Sequence, residues 1–171
     1  MSWTTPRTWV ATEVVTATLM NAHVRDNLAY LMTRPQAATA LDIDSQFTTT
    51  ASTFAAIHSS VMALSVTPAG TRVLLGFTCV ARQIAAGDVT YFTIYQNGTA
   101  LYPNAVDGFA RTPGVAGYWP ISFTIMATGL TSGTTYTYRV CWKTDNTGIL
   151  YAGTAGAGIN LMPNFWALEV G

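Results

Sequence analysis

Alternation of apolar and polar residues at a period of two is the feature that most constrains this chain. In Thr90–Gln96, Tyr91, Thr93 and Tyr95 alternate with Phe92, Ile94 and Gln96. In Trp119–Ala127, Trp119, Ile121, Phe123 and Ile125 alternate with Ser122 and Thr124. Side chains two apart share one face of an extended strand, so each stretch has an inner and an outer side. Arg72–Ala81 is apolar on both faces and is expected in the middle of a sheet. Shorter strands are expected at Thr53–Ile57, Val61–Val66, Thr99–Tyr102, Thr134–Lys143, Gly148–Ala152 and Asn164–Val170. Asn97-Gly98 between two strands predicts a tight hairpin. Gly129–Gly133 reads as a turn, and 103–117 as a loop bearing Gly and Pro. Turn signals recur about every 8–12 residues, with no helical period among them, which is the pattern of a sandwich. The expectation for 36–171 is an antiparallel jelly-roll sandwich of eight or more strands, in a chain that is mainly β.

Residues 1–35 read differently. Trp3 and Trp9 flank Pro6, which suggests an extended arm carrying two large rings. Thr16 is a good N-cap, and helix-compatible residues follow it to Met32. Leu19, Met20, Val24, Leu28, Leu31 and Met32 form an apolar stripe on that helix. Pro35 should stop it. A helix of about 17 residues is marginal alone in water and needs a partner. The partner is the body, copies of itself, or another protein. Docking an indole of the arm in a pocket would contribute roughly 1.5–3 kcal/mol.

Charge narrows the function classes. Only 9% of residues are charged, and eight basic side chains balance eight acidic ones. No charge field exists to draw nucleic acid or an anionic lipid surface. A chain so poor in charge tends to associate. Its longest charge-free runs, Ser45–Thr71 and Thr112–Tyr138, are broken by Thr, Ser, Gly and Pro, so no membrane span is expected. No apolar segment of secretory type opens the sequence. Cys79 and Cys141 are expected to be buried free thiols, because their strand faces do not match.

Catalytic and metal-binding constellations are sparse. The only histidines are His23, on the helix, and His58, beside Ser59-Ser60 in a turn. No nucleophile elbow is present. Asp42-Ile43-Asp44 places two carboxylates on one strand face, and Asp145-Asn146-Thr147-Gly148 is a turn with the residues turns prefer. Neither supplies the six to eight oxygens of a calcium site. Gly153–Gly158 is Gly-rich but lies between strands, which suits a connection better than a phosphate cradle. The expectation is no enzyme activity, no cofactor and no metal. Tyr102, Phe109, Arg111 and Tyr118, in or beside the 103–118 loop, are the candidate receptor-binding residues, because loops at a sandwich end carry binding.

Two stretches carry a resemblance. Pro6-Arg7-Thr8-Trp9-Val10, Glu13-Val14-Val15-Thr16-Ala17 and Asn21–Leu28 together resemble an N-terminal segment of tailed-bacteriophage head fibres, tail fibres and decoration proteins. That family usually has Gly where Ala11 or Thr12 stands here. The remainder is similar to the trimeric jelly roll of the complement and tumour-necrosis-factor type. The matching pieces are Ser52–Phe54, Leu64–Gly70, Arg72–Leu75, Tyr95–Gly98, Gly129–Gly133, Tyr136–Trp142 and Phe165–Gly171. The resemblance implies a homotrimer with its C-terminal strand near the threefold axis, located on a virion surface and made in the host cytoplasm.

On this reading Trp3, Pro6, Arg7, Trp9, Val15, Leu19, Val24, Arg25 and Leu28 anchor the protein to a particle. Tyr91, Tyr136, Tyr138, Trp142, Phe165, Trp166 and Leu168 form the trimer interface. The partners are then capsid or tail proteins of the same virion. The expected function is a head decoration or short head fibre. The alternative is a tail-associated head that binds host-surface glycan.

Overall fold

The computed structural model describes residues 4–40, 45–58, 60–152 and 162–170. Trp3, the Asp42-Ile43-Asp44 pair, Ser59 and the Gly153–Gly158 connection lie outside them. The chain divides into two units, Met1–Pro35 and Gln36–Gly171.

The first unit is helical from Ala17 to Met32, in three pieces: α1 (Ala17–Met20), a π turn (Asn21–Arg25) and α2 (Asp26–Met32). Thr16 caps the start, its hydroxyl accepting from the Leu19 amide at 3.3 Å, so one orphan donor of the first turn is satisfied. Thr33 closes the other end, two residues before Pro35.

The second unit is a sandwich of antiparallel strands: β1 (Gln36–Ala40), β2 (Ser45–Thr49), β3 (Ala55–Ala56), β4 (Ala63–Val66), β5 (Val73–Gln83), β6 (Thr90–Gln96), β7 (Thr99–Ala100), β8 (Ala110–Arg111), β9 (Gly117–Ala127), β10 (Tyr136–Thr144), β11 (Gly148–Ala152) and β12 (Asn164–Glu169). In the first sheet β5 is central. All eleven of its residues pair with β9 on one side. On its other side β12 takes Val73–Thr78 and β11 takes Ala81–Gln83. β1 then flanks β12, and β2 flanks β11. The second sheet runs β3-β10-β6-β7, with β4 beside β10 and β8 beside β6. The expected central position of Arg72–Ala81 is therefore observed, as is the mainly β sandwich.

The core lies between the sheets. Leu75, Phe77 and Cys79 point inward from β5, Phe165 and Ala167 from β12, Phe92 and Ile94 from β6, and Tyr138, Val140 and Trp142 from β10. Phe77 bridges the layers, its ring 6.0 Å from Phe92 and 5.7 Å from Phe123. β9 keeps the expected alternation, with Ile121 buried and Ser122 and Thr124 exposed. At the hairpin Asn97 has φ +50° and Gly98 φ +85°, the two positive values that a type I′ turn requires.

Two polar devices close the ends of the sandwich. Glu169 is fully buried, and its carboxylate accepts from the amides of Ala69 (3.0 Å) and Gly70 (2.7 Å). This pins β12 to the Pro68-Ala69-Gly70 turn. Elsewhere the buried Gln83 amide donates to Thr90 Oγ1 (2.7 Å) and Thr112 Oγ1 (2.6 Å). Buried polar groups are tolerated where they are bonded in this way.

Candidate assembly surfaces

The N-terminal arm is held by Asn27. The Thr4 amide donates to Asn27 Oδ1 at 2.9 Å, and Asn27 Nδ2 donates back to the Thr4 carbonyl at 2.8 Å. The same nitrogen reaches the His23 carbonyl at 3.2 Å. Trp9 lies edge-on to His23 with centroids 6.2 Å apart. The Arg7 guanidinium sits over the Trp9 ring and ion-pairs with Glu13. The arm reverses through Thr12, whose φ of +73° lies in the region that favours glycine.

The clasp settles which helix face is open. Asn27 and Tyr30 are buried, whereas Met20, Val24, Leu28 and Leu31 are exposed. Of the residues expected to anchor a particle, Pro6, Trp9, Val15, Val24, Arg25 and Leu28 are exposed, and Arg7 and Leu19 are half-buried. Trp9 is both partly packed on its own helix and 40% exposed. The clasp through Thr4 and Asn27 had no sequence signal, since the two are 23 residues apart and neither belongs to a periodic pattern.

The residues expected at a trimer interface fall in three places. Tyr138, Trp142 and Phe165 are buried in the chain's own core, so their side chains have no surface to offer a neighbouring copy. Tyr91 is buried on the outer side of the second sheet, under Lys143, and its hydroxyl donates to Asp145 at 3.1 Å. Tyr136 is half-buried, its hydroxyl accepting from the Thr131 amide at 2.9 Å. Trp166 and Leu168 alone of the seven point out from the first sheet. β12 alternates, so Phe165 and Ala167 go in and Trp166 and Leu168 come out.

That outer face is mostly apolar. Register places Leu168 beside Leu74 and Leu74 beside Met126, and Trp166 between Ala38 and Gly76. The Trp166 indole lies over Gly76, where a Cβ would come within 2.2 Å of the ring. Gly76 is therefore what lets a tryptophan lie flat on the sheet. A recess of about 440 Å³ is lined by Gln36, Ala38, Trp166 and Leu168 with the two alanines between them.

The receptor-loop residues are not one patch. The Tyr102 hydroxyl donates to the Met126 carbonyl at 2.7 Å, and its ring is edge-on to Phe109 at 5.7 Å. Phe109 in turn meets Phe123 at 5.8 Å, and Trp119 Nε1 donates to the Val115 carbonyl at 2.9 Å. These ties run in antiparallel order along β9, so the loop is a strap on that strand. Arg111 is paired with Tyr91 in the second sheet. Tyr118 is exposed, under the Arg82 guanidinium. Eight residues of extended strand separate it from Met126, about 26 Å at roughly 3.3 Å per residue.

His58 Nδ1 accepts from the amides of Ser60 (3.2 Å) and Val61 (3.1 Å) and lies 3.4 Å from the Ser60 hydroxyl, so it holds the turn that follows it. Cys79 and Cys141 are free and buried. Burial pushes the Cys79 thiol well above its ordinary range and the Cys141 thiol up to about 11, so both are protonated and unreactive near neutrality. Among the described residues no three His, Cys, Asp or Glu side chains stand together as a metal site. No helix among them is long and apolar enough to cross a membrane.

No protein-family model and no curated protein matches the chain. Among solved structures it is similar to a mutant VP2 protein of infectious bursal disease virus in derived T=1 particles, with a TM-score of 0.37 and 19% identity, over 80% of this chain and 36% of that one. The Gx strain of the same virus gives a TM-score of 0.36 and 16% identity, over 81% of this chain and 38% of that one. A VP2 subviral particle gives 0.32 and 16%, again over 81% and 38%. The chain thus spans little more than a third of the proteins it resembles. A similarity this distant carries no functional assignment.

Proposed function

We propose that this chain is a non-enzymatic structural protein of a bacteriophage virion, a homotrimer that decorates the head or forms a short head fibre. The observation that carries the reading is the apolar outer face of the first sheet. Trp166, Leu168, Leu74 and Met126 stand together there, half-buried, in a chain with few charges to keep copies apart. Contiguous apolar surface of this kind marks an interaction site. The C-terminal strand lies within it, where the resemblance to trimeric jelly rolls puts the threefold axis. The N-terminal segment, which resembles phage virion proteins from Pro6 to Leu28, supplies the attachment through exposed Trp9 and Val15.

Phage particles stripped of the protein test the attachment. Full-length protein should rebind them, and a Trp9→Ala/Val15→Asp variant of unchanged native mass should not. Equal binding by both would remove the anchor from this segment. The glycan-binding reading would need one surface. Tyr102 and Tyr118 lie at opposite ends of β9, and binding of host glycan that is lost in Tyr118→Ala would favour that reading.

A further inference from the structure

The helix exposes the face that an isolated amphipathic helix would hide. Its best-buried side chains are Asn27 and Tyr30, at 5% and 6%, whereas Met20, Val24, Leu28 and Leu31 are 44%, 40%, 55% and 45% exposed. The arm already occupies the polar face through the Thr4–Asn27 pair and the Trp9–His23 contact. It is therefore not the cover for the stripe.

Three observations point to what the cover is. The stripe contains no charged residue, and its neighbours Arg25 and Asp26 ion-pair with each other at 2.8 Å. Such a stripe meets its own copy without repulsion and offers nothing to select a charged partner. Val24, Leu28 and Leu31 are spaced four and then three apart, the step of a seam between side-by-side helices. Finally, only Thr33, Arg34 and Pro35 separate the helix from β1, and β1 pairs along its whole length with β12. Three residues reach at most about 10 Å. If β12 lies at the seam between copies, as proposed above, the three helices are tethered close together and their effective concentration is high.

We infer that the three N-terminal helices of the trimer pack against one another through the Met20–Leu31 stripe, so that the occupant of the stripe is the same stripe of the other copies. The inference rests on the trimer reading. It leaves particle attachment to the arm and the residues just before the helix.

Cysteine cross-linking in the full-length chain tests it. Cys79 and Cys141 are buried, so a cysteine introduced at Leu28 is the thiol that reacts. With a short bis-maleimide, Leu28→Cys and Leu31→Cys should each give a covalent two-chain band. Adding Val24→Asp should lower its yield at least tenfold. A native mass of three chains with no such band at either position overturns the helix packing and leaves the trimer standing. If Leu28→Asp then also abolishes rebinding to stripped particles, the occupant is a virion protein instead. A native mass of one chain overturns the trimer reading, and the helix packing with it.

Discussion

The two units of this chain solve opposite problems with the same kinds of residue. In the sandwich, apolar side chains face each other across two sheets, and the buried Glu169 is bonded to Ala69 and Gly70. In the N-terminal unit the buried positions go to Asn27 and Tyr30, while Val24, Leu28 and Leu31 stay open. The first arrangement closes its core within one chain. The second leaves the stripe uncovered within the chain. An exposed apolar helix face in a monomer is a cost without a return, so the contrast itself argues for assembly.

Perturbing each unit separately sharpens that contrast. The largest effect is expected in the core: Phe77→Ala removes a ring in contact with Phe92 and Phe123 and should cost about 3–5 kcal/mol in denaturant unfolding. Glu169→Ala deletes two charge-assisted bonds to backbone amides and should cost about 3 kcal/mol, with β12 amides losing hydrogen-exchange protection first. Gly76→Val drives a side chain into the Trp166 indole. It should cost about 1–3 kcal/mol and red-shift tryptophan fluorescence as that ring leaves the sheet. In the other unit, Asn27→Ala should release the arm at a local cost of about 1–2 kcal/mol, read as faster exchange near Thr4 with the sandwich transition unmoved. If that transition falls as it does in Phe77→Ala, the two units do not unfold separately.

The smallest effect is the most specific. Tyr138 is fully buried, and its hydroxyl has no partner among the described residues. Tyr138→Phe should be neutral or stabilise by up to about 1 kcal/mol. Burial raises this phenol from its ordinary value of 10 to about 12. The protonated form is thus favoured by folding. Its contribution is present below pH 10 and is lost as pH rises toward 12. The alkaline loss of stability should therefore shrink in the Phe variant.

Much of the sandwich was legible because its strands carry local signals. Asn97-Gly98 demanded positive φ and obtained it at both positions, and Thr16 capped the helix. β1, Gln36–Ala40, was not legible as a separate strand. Alanines have little strand preference, and β1 exists because β12 offers it an edge. β8 was hidden in the same way, as two residues of a loop recruited by Tyr91 and Phe92. The site was harder still. Period two identifies which side chains share a face, but not that Phe165 would serve the core while Trp166 faced out over Gly76. That choice depends on which sheet stands opposite. The clasp between Thr4 and Asn27 is tertiary in origin and leaves no trace in a pattern of apolar residues.

Association through the outer face of the first sheet is the claim on which the functional reading stands, and native mass measures it most directly. Light scattering on the purified full-length chain at micromolar concentration should give about 55 kDa, three times 18.3 kDa. It should fall to a single chain when Trp166 and Leu168 are both replaced by Asp and the far-UV spectrum is unchanged. A mass of 18.3 kDa for the unaltered chain would contradict it: the sandwich would then be complete alone, and the apolar face would have to serve some partner other than itself.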